Sequence, residues 1–418
     1  IPKLLPGVQT PGFRPDVVVR GSAPDDSRYY VDSFDVPFIY HSVGGISILP
    51  EQLLSNVKFS AGGFGPQYGD ATGGVIVLET KDEIPETSKL DVTVNLPLYS
   101  GVFYETALTE DSSISIAARR SYVDQILRRV FKDDMLVVPI FGDAHLQYTK
   151  RLSDGTVKGL FLNSLDRLTL AVPSQGATEE GQLTFDISTQ FSLVGVEWNK
   201  RINKEWSFTA SPQTVYVTVD NNFSTQYVNI RGPSFRLPIE FQKRYSRKEK
   251  LYIGFEEELA QVKVKVKAAR FVSDDPFIDF EEAPEITSES FYSEFLHAAW
   301  IGKDFLFGNF IFTPTLRAFY ATQIEEYGLD PRTQLTWEYS KKEKFKFAVG
   351  KYSKNPDARE TDKEYGNPSL SFTQSTHYIA GWEKDWSQKW NTDIQAYFKL
   401  TNDVVRSDSV FRYRNSGQ

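Results

Sequence analysis

Past residue 88 the chain keeps a two-residue rhythm for some three hundred residues. Val262, Val264, Val266 and Ala268 alternate with Lys263, Lys265 and Lys267. Phe345, Phe347 and Val349 alternate with Lys344, Lys346 and Ala348, and Ile394, Ala396, Phe398 and Leu400 with Asp393, Gln395, Tyr397 and Lys399. Val194, Val196 and Trp198 do the same with Gly195, Glu197 and Asn199. A period of two sends successive side chains to opposite faces of a strand. One apolar and one charged face suits either an antiparallel sheet over a core or a membrane barrel with a wet lumen.

The connections separate these two readings. Tight polar turns stand at Ser153-Asp154-Gly155, Arg201 to Lys204, Tyr245 to Lys248, Ser340 to Glu343 and Trp386 to Lys389. Longer links run over 122–139, 167–182, 271–286 and 354–372. Short and long connections alternate, as they do in a transmembrane barrel with periplasmic turns and external loops. The predicted strands are 89–96, 101–109, 112–121, 140–150, 156–168, 183–200, 204–219, 226–243, 249–270, 287–301, 305–321, 329–340, 344–353, 373–385 and 389–402, with a partial strand from about 409. No closing strand follows, and an open edge in lipid leaves backbone groups unsatisfied. The fold class expected is therefore all-β, an antiparallel transmembrane β-barrel showing about 15–16 strands of about 22, with its C-terminal strands missing.

Composition agrees. Phe, Tyr and Trp number 31, 21 and 7, which is 14% of 418 residues. Trp198, Trp206, Trp300, Trp337, Tyr339, Trp382, Trp386 and Trp390 fall near strand ends, where amphipathic rings favour a water–lipid boundary. No uninterrupted apolar run is long enough for a membrane-spanning helix. With no Cys there is no disulfide framework, thiolate metal site or Cys nucleophile. A net charge of −8 argues against a general nucleic-acid binder. The start, Ile1-Pro-Lys-Leu-Leu-Pro-Gly, reads as mid-domain sequence with upstream residues missing.

Residues 1–81 are of another kind, with many Gly and short apolar strands at 16–21, 29–32, 54–59 and 74–80. Ile48 to Leu54 reads as a short helix with Pro50 near its start. This is a small α/β domain that would gain walls inside a wide barrel. Its motifs run in order: Leu4-Leu5-Pro6-Gly7-Val8, Val18-Val19-Arg20-Gly21, Tyr30-Val31-Asp32-Ser33-Phe34-Asp35-Val36-Pro37, Ile48-Leu49-Pro50-Glu51 through Phe59, and Gln67-Tyr68-Gly69-Asp70-Ala71-Thr72-Gly73-Gly74-Val75-Ile76-Val77-Leu78-Glu79-Thr80-Lys81. Together they resemble the plug of TonB-dependent outer-membrane receptors and transporters. Gly366-Asn367-Pro368-Ser369-Leu370, Ser375-Thr376-His377-Tyr378 and Gly381-Trp382-Glu383 resemble a barrel segment of the same family.

The resemblance implies a plug domain at 1–81, a linker at 82–88 and a barrel at 89–418. It implies location in the bacterial outer membrane, amid lipid and lipopolysaccharide, and energy coupling to a TonB–ExbB–ExbD complex. It implies import of a scarce solute such as a siderophore, cobalamin, a glycan or a peptide, with no bond chemistry, no enzyme activity and no cofactor. Two departures stand out. The family's Arg ahead of the Tyr-Gly falls at Ala61, which leaves Arg20 as a candidate partner for barrel carboxylates. No TonB box is visible. A non-transporting surface receptor or envelope scaffold and a soluble β-rich binding module are the alternative readings.

Catalytic patterns are missing. Gly62-Gly63-Phe64-Gly65 lacks the spacing of a phosphate cradle and reads as a turn, and there is no GxSxG or HExxH. His41, His145, His297 and His377 have no metal-ligand spacing. Asp25-Asp26, Asp133-Asp134, Asp274-Asp275 and Glu281-Glu282 read as solvated loop charge or as external cation capture. Val123 to Phe131 reads as a short external helix whose Arg128-Arg129 could meet an anionic surface. For the solute, the candidates lie at the plug's outward end: Phe13, Arg14, Phe38, Tyr40 and His41, aromatic and polar groups suited to stacking and hydrogen bonding. Packing against the barrel wall is their alternative role.

Overall fold

The computed structural model describes residues 6–9, 17–41, 46–96, 98–130, 136–172, 183–223, 226–269, 285–363, 366–409 and 412–416. The leading segment forms a two-stranded pair, β1 (Val8–Gln9) with β2 (Val18–Val19), and a four-stranded sheet of β3 (Arg28–Val31), β4 (Phe34–Val36), β5 (Leu54–Ser60) and β6 (Val75–Thr80). The sheet order is β4-β3-β6-β5, with β3 and β6 parallel and the outer pairs antiparallel. The helix expected at 48–54 is a turn instead, closed by Leu53 N–H to Pro50 O at 3.1 Å and Leu54 N–H to Glu51 O at 3.2 Å. Leu54 already opens β5, so only one turn of chain is left, too short for a helix to propagate.

The remainder forms a ring. Its strands are β7 (Lys89–Asn95), β8 (Tyr99–Thr109), β9 (Ser112–Ser121), β10 (Leu136–Leu152), β11 (Gly155–Val172), β12 (Leu183–Arg201), β13 (Trp206–Ala210), β14 (Gln213–Phe223), β15 (Gln226–Arg244), β16 (Lys250–Ala269), β17 (Glu285–Lys303), β18 (Phe305–Phe307), β19 (Phe310–Ala321), β20 (Glu326–Ser340), β21 (Glu343–Lys354), β22 (Thr373–Asp385) and β23 (Asn391–Asn402). A helix, α1 (Val123–Val130), follows β9.

Two of the seventeen strands continue a neighbour. β13 and β14 both lie between β12 and β15, broken at Ser211-Pro212, where the proline has no N–H to give a ladder. β18 prolongs β17 along β19. Fifteen staves result among the described residues, one for each full strand predicted from sequence. The reversal predicted at 302–304 is displaced to Gly308-Asn309, where Gly308 has φ 59°, a left-handed turn conformation.

The edge left open by the sequence reading is covered, because β23 closes against β7. With an odd number of antiparallel staves, these two run in the same direction at that seam. The partial strand expected near 409 is a separate hairpin, β24 (Val404–Ser409) with β25 (Arg412–Ser416).

Burial along the staves is inverted relative to a water-soluble sheet. On β10, Asp143, His145, Gln147 and Thr149 are buried, whereas Leu146 and Tyr148 are each 39% exposed. On β16 and β17 the outward residues include Ile253, Phe255, Phe295 and Ile301, all exposed. Exposed Tyr339, Trp386 and Trp390 lie at the short-turn end, and exposed Tyr327 with half-buried Tyr320 at the other. An outward apolar band edged by aromatic rings with polar groups inside is the surface of a lipid-embedded barrel.

The small sheet sits in the bore. Val31, Phe34, Val36 and Leu78 pack in one apolar cluster with wall residues Phe103, Leu160, Phe191 and Val215. Phe38 meets Phe191 edge-on at 5.0 Å.

Candidate functional site

The bore is closed by the plug, so the interface between plug and wall is where any function of this architecture is decided. One anchor lies on β10 and β11. His41, at the end of the buried Phe38–His41 stretch, places Nε2 3.0 Å from Asp143 and Nδ1 2.9 Å from Asp166. Its ring stacks on Phe141 at 4.5 Å. Arg119 of β9 holds Asp143 in a fork, Nε at 2.9 Å and Nη2 at 2.8 Å, and also donates to Ser47 O at 2.6 Å.

Carboxylate oxygens on both ring nitrogens require both to donate, which only the protonated imidazole does. Burial alone would lower the His41 pKa. The hydrogen bonds and charges of Asp143 and Asp166 outweigh it and raise the pKa above the ordinary value. Nearer the short-turn end, Lys158 donates to Asp32 at 3.0 Å and to Thr80 Oγ1 at 2.9 Å.

A second anchor lies on β19 to β23 and uses main-chain carbonyls of the plug. Arg332 donates to Gly65 O at 2.6 Å and Tyr68 O at 2.9 Å. Arg317 donates to Pro66 O at 3.2 Å, Gln334 to Gly63 O at 2.6 Å, and Lys399 to Gly73 O at 2.6 Å. His377 Nε2 lies 2.9 Å from Thr72 O. The Gly62-Gly63 turn, which presents the Gly63 carbonyl, has φ of 128° and 65°, backbone that glycine adopts without penalty.

Arg20 reaches β23. Its Nη2 donates to Gln395 Oε1 at 2.6 Å, its guanidinium lies 4.5 Å from the Tyr397 ring centroid, and Nη1 meets Ala61 O at 3.4 Å. Where the resembled family carries a plug Arg at position 61, the cations here come from the wall, as Arg317 and Arg332.

A third contact brings two ion-paired groups together, one in the wall and one in the plug, bridged by Arg236 Nη1 donating to Ser33 O at 3.4 Å and by the Arg236 guanidinium 5.6 Å from the Tyr30 ring. Arg236 of β15 and Arg317 of β19 both donate to Glu256 of β16. On the plug side Arg28 pairs with Asp35 at 3.5 Å and with Asp70.

Of the residues proposed from sequence to meet a solute, Phe38, Tyr40 and His41 are 2%, 4% and 1% exposed, packed into the wall. Burial raises the Tyr40 hydroxyl pKa, with Tyr29 adding to it. Phe13 and Arg14 lie outside the described residues, as do Asp133-Asp134, Asp274-Asp275 and Glu281-Glu282. Asp25 and Asp26 pair with Lys354 at 2.7 and 3.5 Å.

Sequence reasoning missed the wall partners Asp143, Asp166, Arg236, Glu256, Arg317 and Arg332. Alternation placed each on a face, and the sign of the face was the missing step. The available signal was a charge among polar neighbours on the face opposite the aromatic residues.

Two cavities complete the geometry. One of about 410 Å³ opens at the short-turn end and is bounded by Tyr30, Lys158, Arg236, Glu240 and Trp300 among others. One of about 190 Å³ lies toward the long-loop end, beside Arg28, Asp70, Glu258 and Glu294.

No protein-family model matches the chain, and no curated protein sequence matches it. Solved structures do. A mutant of the ferric enterobactin receptor PfeA of Pseudomonas aeruginosa aligns with TM-score 0.73 at 13% identity, covering 99% of this chain and 72% of that one. The siderophore receptor PirA of Acinetobacter baumannii aligns with TM-score 0.74 at 12% identity, covering 99% and 72%. The outer membrane transporter YddB of Escherichia coli aligns with TM-score 0.66 at 10% identity, covering 96% and 66%. At such identities the likeness concerns architecture. The chain has the plug-and-barrel fold of TonB-dependent outer-membrane receptors.

Proposed function

We propose that the protein is an outer-membrane, TonB-dependent receptor and transporter. It binds a scarce external solute and imports it when energy coupling rearranges the plug, with residues 1–81 as plug, 82–88 as linker and 89–418 as barrel. The observation that carries this reading is the nature of the plug's anchors. Apart from two apolar clusters, they are carbonyls, carboxylates and cations that water can replace one at a time. A domain meant to stay in place permanently would be held by continuous apolar packing. This one closes a wide pore yet is held by exchangeable bonds.

Several solved neighbours are named siderophore receptors, and one was determined in complex with enterobactin. A solute of that general size, bound outside and too large for an open pore, fits the architecture. Its seat is proposed at the plug's outward end, around Phe13-Arg14 and Phe38–His41. At rest Phe38, Tyr40 and His41 are packed in the wall, so a solute meets them only when that end shifts. This couples recognition to plug movement.

Growth-limited uptake tests the reading, with ferric siderophores, cobalamin, glycans and peptides supplied to cells with and without TonB. Uptake of one solute class that is lost without TonB supports transport. Binding with no uptake in either background indicates a non-transporting surface receptor. Full extraction of the protein without detergent would contradict membrane residence, which rests on the outward apolar band.

A further inference from the structure

Two cavities share the sector of the bore in front of β15 to β17, the larger toward the short turns and reaching round to β11 and β12, the smaller farther along the staves toward the long loops. The lower chamber of about 410 Å³ touches residues near the short turns: Lys158 on β11, Glu197 on β12, Glu240 on β15 and Trp300 on β17. The upper chamber of about 190 Å³ touches Glu258 and Glu294 midway along β16 and β17, and Asn355 to Ala358 in the long connection after β21.

Two groups of charged side chains adjoin them. Arg236 and Arg317 pair with Glu256 within the wall, and Arg28 pairs with Asp35 and Asp70 within the plug. Tyr30 lies 5.6 Å beneath the Arg236 guanidinium. Tyr30 and Arg236 line the lower chamber, whereas Arg28 and Asp70 line the upper.

We propose that this sector is the route of the solute past the plug, that the Arg28–Asp35–Asp70 and Arg236–Glu256–Arg317 groups are its gate, and that the route favours cationic solutes. The proposal rests on the transport reading above and adds path, gate and charge class. In front of β10 to β12 the plug is sealed by apolar packing of Phe34, Phe38, Leu160 and Phe191. Opening a seam there exposes apolar surface, at roughly 25 cal/mol per Å². In front of β15 to β17 the contact between plug and wall is polar, with Arg236 donating to Ser33 O at 3.4 Å and Arg317 to Pro66 O at 3.2 Å, and it is flanked by preformed cavities, so water can replace each bond as the two sides part.

The charge class follows from the linings. In the upper chamber Asp70, Glu258, Glu294 and Asp357 face one cation, Arg28. In the lower, Asp32, Glu79, Asp82, Glu197 and Glu240 outnumber Lys158 and Arg236. A cleft dominated by one sign of charge concentrates the opposite ion. Asn355, on the upper chamber, also carries a buried Oδ1 with no hydrogen-bond partner, an acceptor available to an N–H donor.

The test uses the full-length protein in planar bilayers and needs no energy-coupling partner. Because the chain has no cysteine, Ala260→Cys reports on the upper chamber and Ser55→Cys on the lower without touching the gate. The expected result is that, once each rate is divided by the reagent's rate with a free thiol in solution, a trimethylammonium-ethyl methanethiosulfonate still modifies both about tenfold faster than its sulfonate counterpart. Weakening the gate by Glu256→Gln, or by Asp35→Asn if the first variant does not fold, should open a current selective for K⁺ over Cl⁻ that modification of Ser55→Cys reduces. Equal normalised rates, an anion-selective current, or a folded gate variant that stays closed would overturn the route. Loss of transport in cells alongside these currents would count against the transport reading alone.

Discussion

Nε2 of His41, in the plug, lies 3.0 Å from a carboxylate oxygen of Asp143, in the wall, with both side chains fully withdrawn from solvent. Asp166 takes the other ring nitrogen, and Arg119 neutralises Asp143 from the opposite side. The folded-state pKa of His41 is raised, first against burial and then by these two carboxylates. The anchor is therefore at full strength below the unfolded value of about 6.5, and it is lost as pH rises through the higher folded value. Hydrogen exchange of residues 38–41 against pH should show protection falling on the alkaline side. In His41→Gln the profile should be flat across that window. A profile that rises with pH would reverse the assignment.

Removing the imidazole altogether leaves Asp166 and Asp143 buried with less compensation. His41→Ala should weaken plug seating by about 3–5 kcal/mol, the usual range for breaking a buried charged pair. The midpoint of plug release in urea reads this directly. Asp143→Asn together with His41→Gln should recover part of the loss, since the unpaired charge is then gone.

Arg332 caps two plug carbonyls, Gly65 O and Tyr68 O, under 3.0 Å from each. Arg332→Ala should cost about 1–3 kcal/mol for each carbonyl left buried without a donor. Arg332→Lys should recover only part of this, because a single ammonium lacks the planar fork. Exchange protection of residues 63–69 is the readout, and full rescue by Lys would contradict the fork geometry.

Gly195 of β12 faces the plug at Phe34. A Cβ there would come within 2.4 Å of the Phe34 ring. Gly195→Val should unseat Phe34 at a cost of about 1–3 kcal/mol, and adding Phe34→Leu should relieve much of it. Urea midpoints of the two single variants and the double variant form the cycle. Strict additivity would mean that the two residues do not meet.

Tyr40 and His41 connect seating to recognition. If the outward end of the plug takes the solute, Tyr40→Ala should weaken binding of whichever solute proves to be transported, measured by titration calorimetry. Unchanged affinity would place the seat in the external loops.

Much of the barrel was legible because a period of two and alternating connection lengths are set by backbone geometry, which every stave obeys. What was misjudged lay where single residues decide. Pro212 split one stave, Gly308 moved one reversal, and the short span before Leu54 left no length for a helix. The seam between β23 and β7 was illegible, since a sequence pattern gives each strand's faces and not its neighbour. The same limit hid the anchors. Arg20, in a motif, could be singled out, whereas the partnership of His41 with Asp143 and Asp166, more than a hundred positions away, exists only once the plug lies in the bore.

The account stands on the plug occupying that bore, and its two ends can be tested together in one experiment. Asp25 meets Lys354 at 2.7 Å toward the long loops, and Asp32 meets Lys158 at 3.0 Å toward the short turns. A carbodiimide joins only carboxylates and amines already in contact, so treating the membrane-embedded, full-length protein should yield both the Asp25–Lys354 and the Asp32–Lys158 linked peptides by mass spectrometry. Finding neither, while the wall-internal Asp111–Lys150 pair at 2.7 Å links normally, would contradict a plugged barrel.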